Sequence, residues 1–404
     1  MKKILPVLLL VLVSSTKPSA QLLSWLTGNV DEPAGELLTN RAIQIETTEA
    51  INNMYNFKFH AAEREFKWLM VKYPNHPIGH FLLGLNEWWQ IVSDTHDQSH
   101  DAAIHRYMDE TIDLADDMAS GSKEAAFFMS AAYAFKGRLY AERENWVKAA
   151  WAGKQALKYL EKSRGDEVIN PELIFGDGVY NYYSKWIHDN YKSLKPLLTF
   201  FRKGNKALGI QQLENVSLNA FYTRMEARYF LVQIYAMEGQ NGKALQLSRQ
   251  MHALYPDNAF FHRYAARSSF ALGRMQETEV YAKELLDNVA QKKTGYGAND
   301  GRYGSYMMGY VNQHYKRDKE AAKFYYEKCT EFAETNDSEE SGFYLGALLA
   351  LGNYALEEGN YDLAEEKYRL ILEQKVKSSS AYDSAKEQLK LVKQKRKASR
   401  KNKS

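Results

Sequence analysis

The sequence predicts an all-α protein, a solenoid of about eight helical hairpins closed by a C-terminal capping helix. Three observations predict it. Apolar residues recur at three- and four-residue spacings over most of the chain, with small residues placed where two helices would cross. Proline is scarce, at 8 in 404 residues, and Pro74, Pro77, Pro171 and Pro256 fall at predicted helix boundaries. Glycine-rich and polar turns separate the periodic segments, as in Thr294-Gly295-Tyr296-Gly297-Ala298-Asn299-Asp300-Gly301.

The first segment, 1–20, reads as a secretory signal peptide. Lys2 and Lys3 precede the apolar run Ile4 to Val13, and a polar stretch ends at Ala20, the expected cleavage point. The run is about half of the roughly 20 residues that a membrane span needs. No later segment is long and apolar enough to span either, so an exported chain, periplasmic or secreted, is expected. Residues 21–44 form an N-terminal segment, 45–377 the hairpin array, 378–397 a capping helix and 398–404 a basic disordered tail.

The clearest hairpin runs from Leu348 to Ile371. Gly352 and Ala355 lie on one predicted helix, and Glu358-Gly359-Asn360-Tyr361 makes the turn. Ala364, Tyr368 and Ile371 then form the facing stripe. The same second-helix pattern recurs along the chain. It is carried by Ala62, Phe66 and Leu69; Ala103 and Tyr107; Ala149 and Ala156; and Gly209, Leu213 and Val216. It continues in Ala244 and Met251; Thr278, Ala282 and Leu285; and Ala321 and Tyr325. Successive small residues are 41, 46, 60, 35, 34, 43 and 43 apart, so only the middle of the array keeps a constant period. In the last helix Ala381, Tyr382, Ala385, Leu389 and Val392 are expected to face the array and cover its end.

These residues resemble the tetratricopeptide repeat, whose usual period is 34 residues. A second block adds to the likeness: Gly176-Asp177-Gly178-Val179-Tyr180-Asn181, then Leu194-Lys195-Pro196-Leu197, then Lys203-Gly204-Asn205-Lys206-Ala207-Leu208-Gly209. It resembles a block of secreted Bacteroidota tetratricopeptide proteins. More distantly it is similar to the eukaryotic tetratricopeptide repeat protein 39 and inclusion-body-clearance family. Those relatives carry Asp-Arg where this chain has Asn205-Lys206. The resemblance implies a right-handed superhelical solenoid, a scaffold without catalytic residues, and a concave groove lined by the first helix of each hairpin. The groove positions would be Tyr229, Gln233, Arg263, Arg267, Tyr303, Tyr306, Tyr310, Leu349 and Asn353. The partner expected there is a protein or peptide, because Tyr and Arg anchor interfaces. The paired Lys and Asn of chaperone-tail receptors are missing from these positions.

Other chemistry is thinly represented. Gly176 and Gly178 lack the strand and third glycine of a dinucleotide loop, and read as a close approach of two helices. No Gly-x-Ser-x-Gly, His-Glu-x-x-His or Walker pattern occurs, so no enzyme and no cofactor is expected. Cys329, the single cysteine, excludes an intrachain disulfide and reads as a small buried thiol. His96, His100 and His105 are the densest ligand-type cluster. His96 and His100 would share a helix face and could chelate a metal, but the segment sits where a loop is expected. That leaves a metal-dependent protein as one alternative.

The formal charge of +3 conceals an uneven distribution. Residues 386–404 carry nine basic groups and one acid, Glu387, so the body 21–385 is acidic. An acidic body argues against a nucleic-acid partner. The basic end could hold the chain to an anionic envelope surface, as an assembly factor would need, or fold back on the body.

Overall fold

The computed structural model describes residues 37–401 apart from 93, 119, 166–170 and 192–201. Among the described residues every regular element is helical. The helices fall into two compact units, divided between Glu238 and Gly239.

The first unit contains α1 (Arg41–Tyr55), α2 (Phe59–Lys72), α3 (Ile78–Ile91), α4 (Asp101–Asp116) and α5 (Lys123–Glu142). It continues with α6 (Trp146–Lys162), α7 (Ile174–Asn190), α8 (Lys206–Asn219) and α9 (Arg224–Met237). Helices consecutive in sequence pack as hairpins: α1 on α2, α3 on α4, α5 on α6 and α7 on α8. First helices of neighbouring hairpins also touch, α1 with α3 and α3 with α5. The sequence of α3 explains its place. Ile78-Gly79-His80-Phe81-Leu82-Leu83-Gly84-Leu85 is apolar on nearly every side, and such a helix must be covered all round. It is packed by α1, α2, α4 and α5, and Trp88 and Trp89 are fully buried.

The second unit contains α10 (Asn241–Leu254), α11 (Ala259–Ala271), α12 (Met275–Ala290), α13 (Ala298–Val311) and α14 (Lys319–Thr335). It ends with α15 (Gly342–Glu357), α16 (Tyr361–Glu373) and α17 (Ser380–Lys401). Its hairpins are α11–α12, α13–α14 and α15–α16. Again the first helices adjoin, α11 with α13 and α13 with α15. The all-apolar α15 is enclosed by α13, α14, α16 and α17.

Helix starts follow from short polar side chains. Asn40, Ser122, Asn145, Asn205, Asn258, Asp318, Ser341 and Asn360 each accept a backbone N–H of the first turn. Asn205 Oδ1 takes the Leu208 N–H at 3.1 Å, so asparagine caps α8 as the aspartate of the resembling block would. Buried carboxylates do similar work over longer range. Glu172 accepts from the N–H groups of Tyr222 and Thr223 at 2.9 and 2.8 Å ahead of α9, and Glu124 accepts from Leu38 N–H at 2.7 Å.

Most of the expected second-helix stripes form the core. Ala62, Phe66, Ala149, Leu213, Val216, Ala244, Ala282, Leu285, Ala364, Tyr368 and Ile371 are all buried. Close approaches fall where glycine was read as a crossing. A Cβ on Gly352 would lie 2.5 Å from the Tyr368 ring, and one on Gly178 would lie 2.9 Å from Leu213 Cγ. Three stripes differ from expectation. In α4 the buried face is Ile104, Tyr107, Met108, Thr111 and Ala115, and Ala103 is only partly covered. Gly84 supplies the small residue there, with Met108 and Tyr107 against it. In α14 the buried face is Ala322, Tyr326, Cys329 and Ala333, one residue on from Ala321 and Tyr325. The α6 stripe likewise buries Ala152, whereas Ala156 stays partly exposed.

Residue 1–36 readings, including the signal peptide, and the Leu194–Leu197 part of the central block lie outside the described residues. Helix α1 begins at Arg41, four residues before the expected start of the array. Helix α17 runs to Lys401, into the 398–404 stretch that the sequence reads as a disordered tail. Ala381, Ala385 and Val392 are buried against α15 and α16, and Leu389 packs beside them. Tyr382 is only partly covered and lies beneath the Lys386 ammonium at 4.6 Å. Arg396 reaches Asp362 at 2.7 Å and Glu365 at 3.0 Å on α16, so part of the basic segment folds back on the body. No helix among the described residues is long and apolar enough to cross a membrane.

Candidate partner-binding site

The expected groove residues separate into two groups, one in each unit. Tyr229 and Gln233 belong to the first. Tyr229 on α9 is buried, packs edge-on against Trp89 at 5.3 Å, and accepts a hydrogen bond from Arg138 on α5. Arg138 lies over the faces of Trp88 and Tyr229. Beside it, Glu226 accepts from Trp89 Nε1 at 2.7 Å and from the Tyr55 hydroxyl at 3.2 Å. Burial raises the Glu226 carboxyl above its ordinary range, against the pull of these donors and of Arg138. Gln233 donates to the Tyr229 carbonyl at 3.3 Å. Tyr229 is therefore an interior packing residue whose polar end is engaged inside the unit, not an exposed anchor.

The second group gathers on α11, α13 and α15. Arg263 and Arg267 stand one turn apart on α11, and Arg302 and Tyr303 are neighbours on α13. The Tyr303 ring has the Arg267 and Arg302 guanidiniums each 5.0 Å from its centroid. Arg267 also lies 4.8 Å over Tyr264. Among the described residues one carboxylate pairs with this set. Asp300 Oδ1 is 3.2 Å from Arg263 Nε, close enough for an ion pair but not aligned for a hydrogen bond. Asp300 is fully buried and also caps α13, accepting the Gly297 N–H at 3.2 Å. Arg302 donates to Asn299 Oδ1 at 2.6 Å.

Among the described residues, three guanidiniums thus gather where one carboxylate, paired with Arg263, stands. Arg263 Nη2 and Arg302 Nε are buried and have no hydrogen-bond partner. The neighbouring groups feel the excess. Burial alone would raise the Tyr303 phenol, yet Arg267, Arg302 and Arg263 outweigh it and hold it below its ordinary value. Arg302 is itself lowered, first by burial and then by the two other guanidiniums, with Tyr303 opposing. Asp300 is raised by burial although Arg263 pulls it down. A buried positive excess with unused N–H groups is expensive unless an anion meets it. The fork geometry of guanidinium suits a carboxylate.

An aromatic row continues from this cluster. Tyr303 and Tyr306 each lie 4.8 Å from Phe343 of α15, and Tyr310 lies 5.0 Å from Phe270 of α11. Tyr306 leans over Gly346, where a Cβ would stand 2.8 Å from its hydroxyl. Burial raises the Tyr306 phenol to about 12. Tyr303, Tyr306 and Tyr310 are each partly exposed, so the row both packs and offers ring surface. Asn353 accepts from the Tyr368 hydroxyl at 2.8 Å, and Leu349 packs on the α15–α16 core. Arg302 belongs to the cluster but escaped the sequence reading, because counting along the first helix gave Tyr303, its neighbour.

The other expected sites resolve differently. His96, His100 and His105 do not converge on a shared centre. His96 sits in a turn 3.4 Å from Asp94, and His100 pairs with Glu87 of α3 at 2.6 Å. His105 lies against Tyr140 of α5 at 4.7 Å. The loop geometry explains this, since His96 precedes α4 and shares no helix with His100. Cys329 is fully buried, its thiol donates weakly to the Phe343 carbonyl at 3.7 Å, and burial pushes it up to about 12. Such a thiol carries no thiolate at neutral pH.

No family model matches the chain, and no curated protein matches it. Among solved structures it is similar to the C-terminal part of a TPR repeat-containing protein from Cytophaga hutchinsonii. The identity is 16%, the match covers 72% of this chain and 96% of that one, and the TM-score is 0.35. The fold described above rests on the helices themselves.

Proposed function

We propose that this chain is an exported, non-catalytic scaffold that binds a protein or peptide partner, and that the partner presents a carboxylate to Arg263, Arg267 and Arg302. The observation that carries the reading is the charge imbalance among the described residues: three guanidiniums, two with buried unpartnered nitrogens, against the one Asp300 carboxylate. Tyr303 and Tyr306 extend the site with ring surface that can hold the flanking residues of an extended segment. Hairpins repeated within each unit favour this use, because their first helices adjoin. The basic-then-apolar start of the chain supports export, and the central block supports kinship with secreted tetratricopeptide proteins.

A displayed library of random peptides, panned against the chain without residues 1–20, tests the reading. Recovered peptides should be enriched in Asp, Glu or a free C-terminus, and Arg267→Gln should lose them. Recovery of peptides with no acidic enrichment, held equally by Arg267→Gln, would refute it.

A further inference from the structure

Away from the arginine cluster, the second unit brings together two histidines and a glutamate from three helices. His252 lies in the last turn of α10, His262 in the first turns of α11, and Glu284 on α12. One donor atom from each lies within 4.8 Å of the other two. The His252 and His262 rings face each other with centroids 4.4 Å apart and planes 19° apart. His262 Nε2 is 3.6 Å from Glu284 Oε2.

The hydrogen-bond accounting at this cluster does not close. His262 is 1% exposed, and its Nε2 makes no hydrogen bond of good geometry, although the Tyr281 backbone lies close enough to the ring to oppose the effect of burial. His252 Nδ1 is likewise buried without a hydrogen bond. A buried polar atom left unpaired costs about 1–3 kcal/mol, and here two such nitrogens occupy one place beside a carboxylate. The remaining nitrogen of His262 is accounted for. Nδ1 is 3.1 Å from the Tyr296 hydroxyl, which can accept its N–H and so leave the Nε2 lone pair open. A second partner that fixes the tautomer of a ligating imidazole is the usual support of a metal site.

We propose that His252, His262 and Glu284 form a binding site for a divalent transition-metal cation, with zinc the best match to two imidazoles and one carboxylate. That donor set leaves the fourth tetrahedral position to water or to a ligand. Burial disfavours the charged form of both rings, in the direction of the neutral imidazole that ligates a cation. Closing the site requires movement. Bonds of about 2.0–2.1 Å place tetrahedral donor atoms about 3.3 Å apart, so the widest pair must draw in by roughly 1.5 Å. Glu284, half exposed on its helix, and the partly exposed His252 ring have the room to do this, while His262 stays fixed.

Zinc chloride is the probe, used with the full chain after chelator treatment and dialysis. The expected result is uptake of one zinc per chain by elemental analysis. Glu284→Gln sits on the exposed side and should keep its circular dichroism spectrum. It should weaken zinc binding by more than the roughly 10- to 100-fold that loss of an outer partner costs. Tyr296→Phe should fall within that 10- to 100-fold range, since it removes only the tautomer-fixing partner. Cobalt in place of zinc should give the intense visible absorption of a tetrahedral site, absent in His252→Ala. Zinc uptake no greater in the native chain than in a folded His252→Ala/Glu284→Gln double variant would overturn the proposal. So would uptake that Glu284→Gln and His252→Ala each retain at native affinity.

Discussion

Arg263 on α11 and Asp300 on α13 face each other at 3.2 Å inside the second unit, and among the described residues Asp300 is the one carboxylate paired within the group of three guanidiniums there. The pair joins two neighbouring first helices, and the same carboxylate closes the start of α13 on Gly297. Its position links hairpin packing to the charge available for a ligand.

Removing that carboxylate should be costly. Asp300→Asn leaves Arg263 buried without a counter-charge and adds to the excess around Tyr303. The expected loss is about 3–5 kcal/mol, the usual penalty for breaking a buried pair on one side. Urea unfolding followed by circular dichroism measures it. A loss under about 1 kcal/mol would mean that the excess is already neutralised.

The phenols should titrate in an unusual order. Tyr303 is held below its ordinary value by guanidiniums that outweigh its burial, whereas Tyr306 is raised to about 12 by burial. A depressed phenol stabilises the fold above the ordinary value near 10, and that contribution is lost as pH falls through the depressed value. Ultraviolet difference titration should show an early-ionising tyrosine that Tyr303→Phe removes. Adding a carboxylate ligand should move this phenol upward, because the ligand takes over the guanidinium charge.

Helix crossings give a prediction with a sign to decide. A Cβ on Gly209 would stand 2.5 Å from the Tyr182 backbone N, which cannot swing away. Gly209→Ala gains about 1 kcal/mol of helix propensity but suffers overpacking of about 1–3 kcal/mol or more against backbone, so it should lower Tm. Gly242, with nothing within 4 Å of an added Cβ, is the control. Gly242→Ala should leave Tm unchanged or raise it.

Cys329 should resist labelling. The thiol is fully buried and raised to about 12, so iodoacetamide at pH 8 should modify it only after denaturation.

The array was legible because its stripes are chemically simple. Ala364, Tyr368 and Ile371 have no small or aromatic neighbours that offer a second register, and all three are fully buried. In α14 the run Ala321-Ala322 followed by Tyr325-Tyr326 offers two registers with equal local chemistry. Tertiary packing of Tyr326 against Gly309 and Tyr306 selects the second. The arginine cluster was half legible: the repeat pattern placed Arg263, Arg267 and Tyr303, while Arg302 is brought in by the turn of α13. Nothing in sequence spacing joins His252, His262 and Glu284, which sit on three helices and meet only through packing. His96 and His100 show the reverse case, four residues apart in sequence but each engaged with a different acid.

The central claim is that the arginine cluster binds a carboxylate, and one titration tests it directly. A peptide selected from the library is labelled and titrated by fluorescence anisotropy in its acidic form and with each carboxylate replaced by an amide. The acidic form should bind the native chain at least about ten-fold more tightly, equivalent to about 1.4 kcal/mol. Arg267→Gln should erase most of that difference while keeping its fold. Equal affinity for the two forms, or an acid preference that Arg267→Gln leaves intact, would contradict the account.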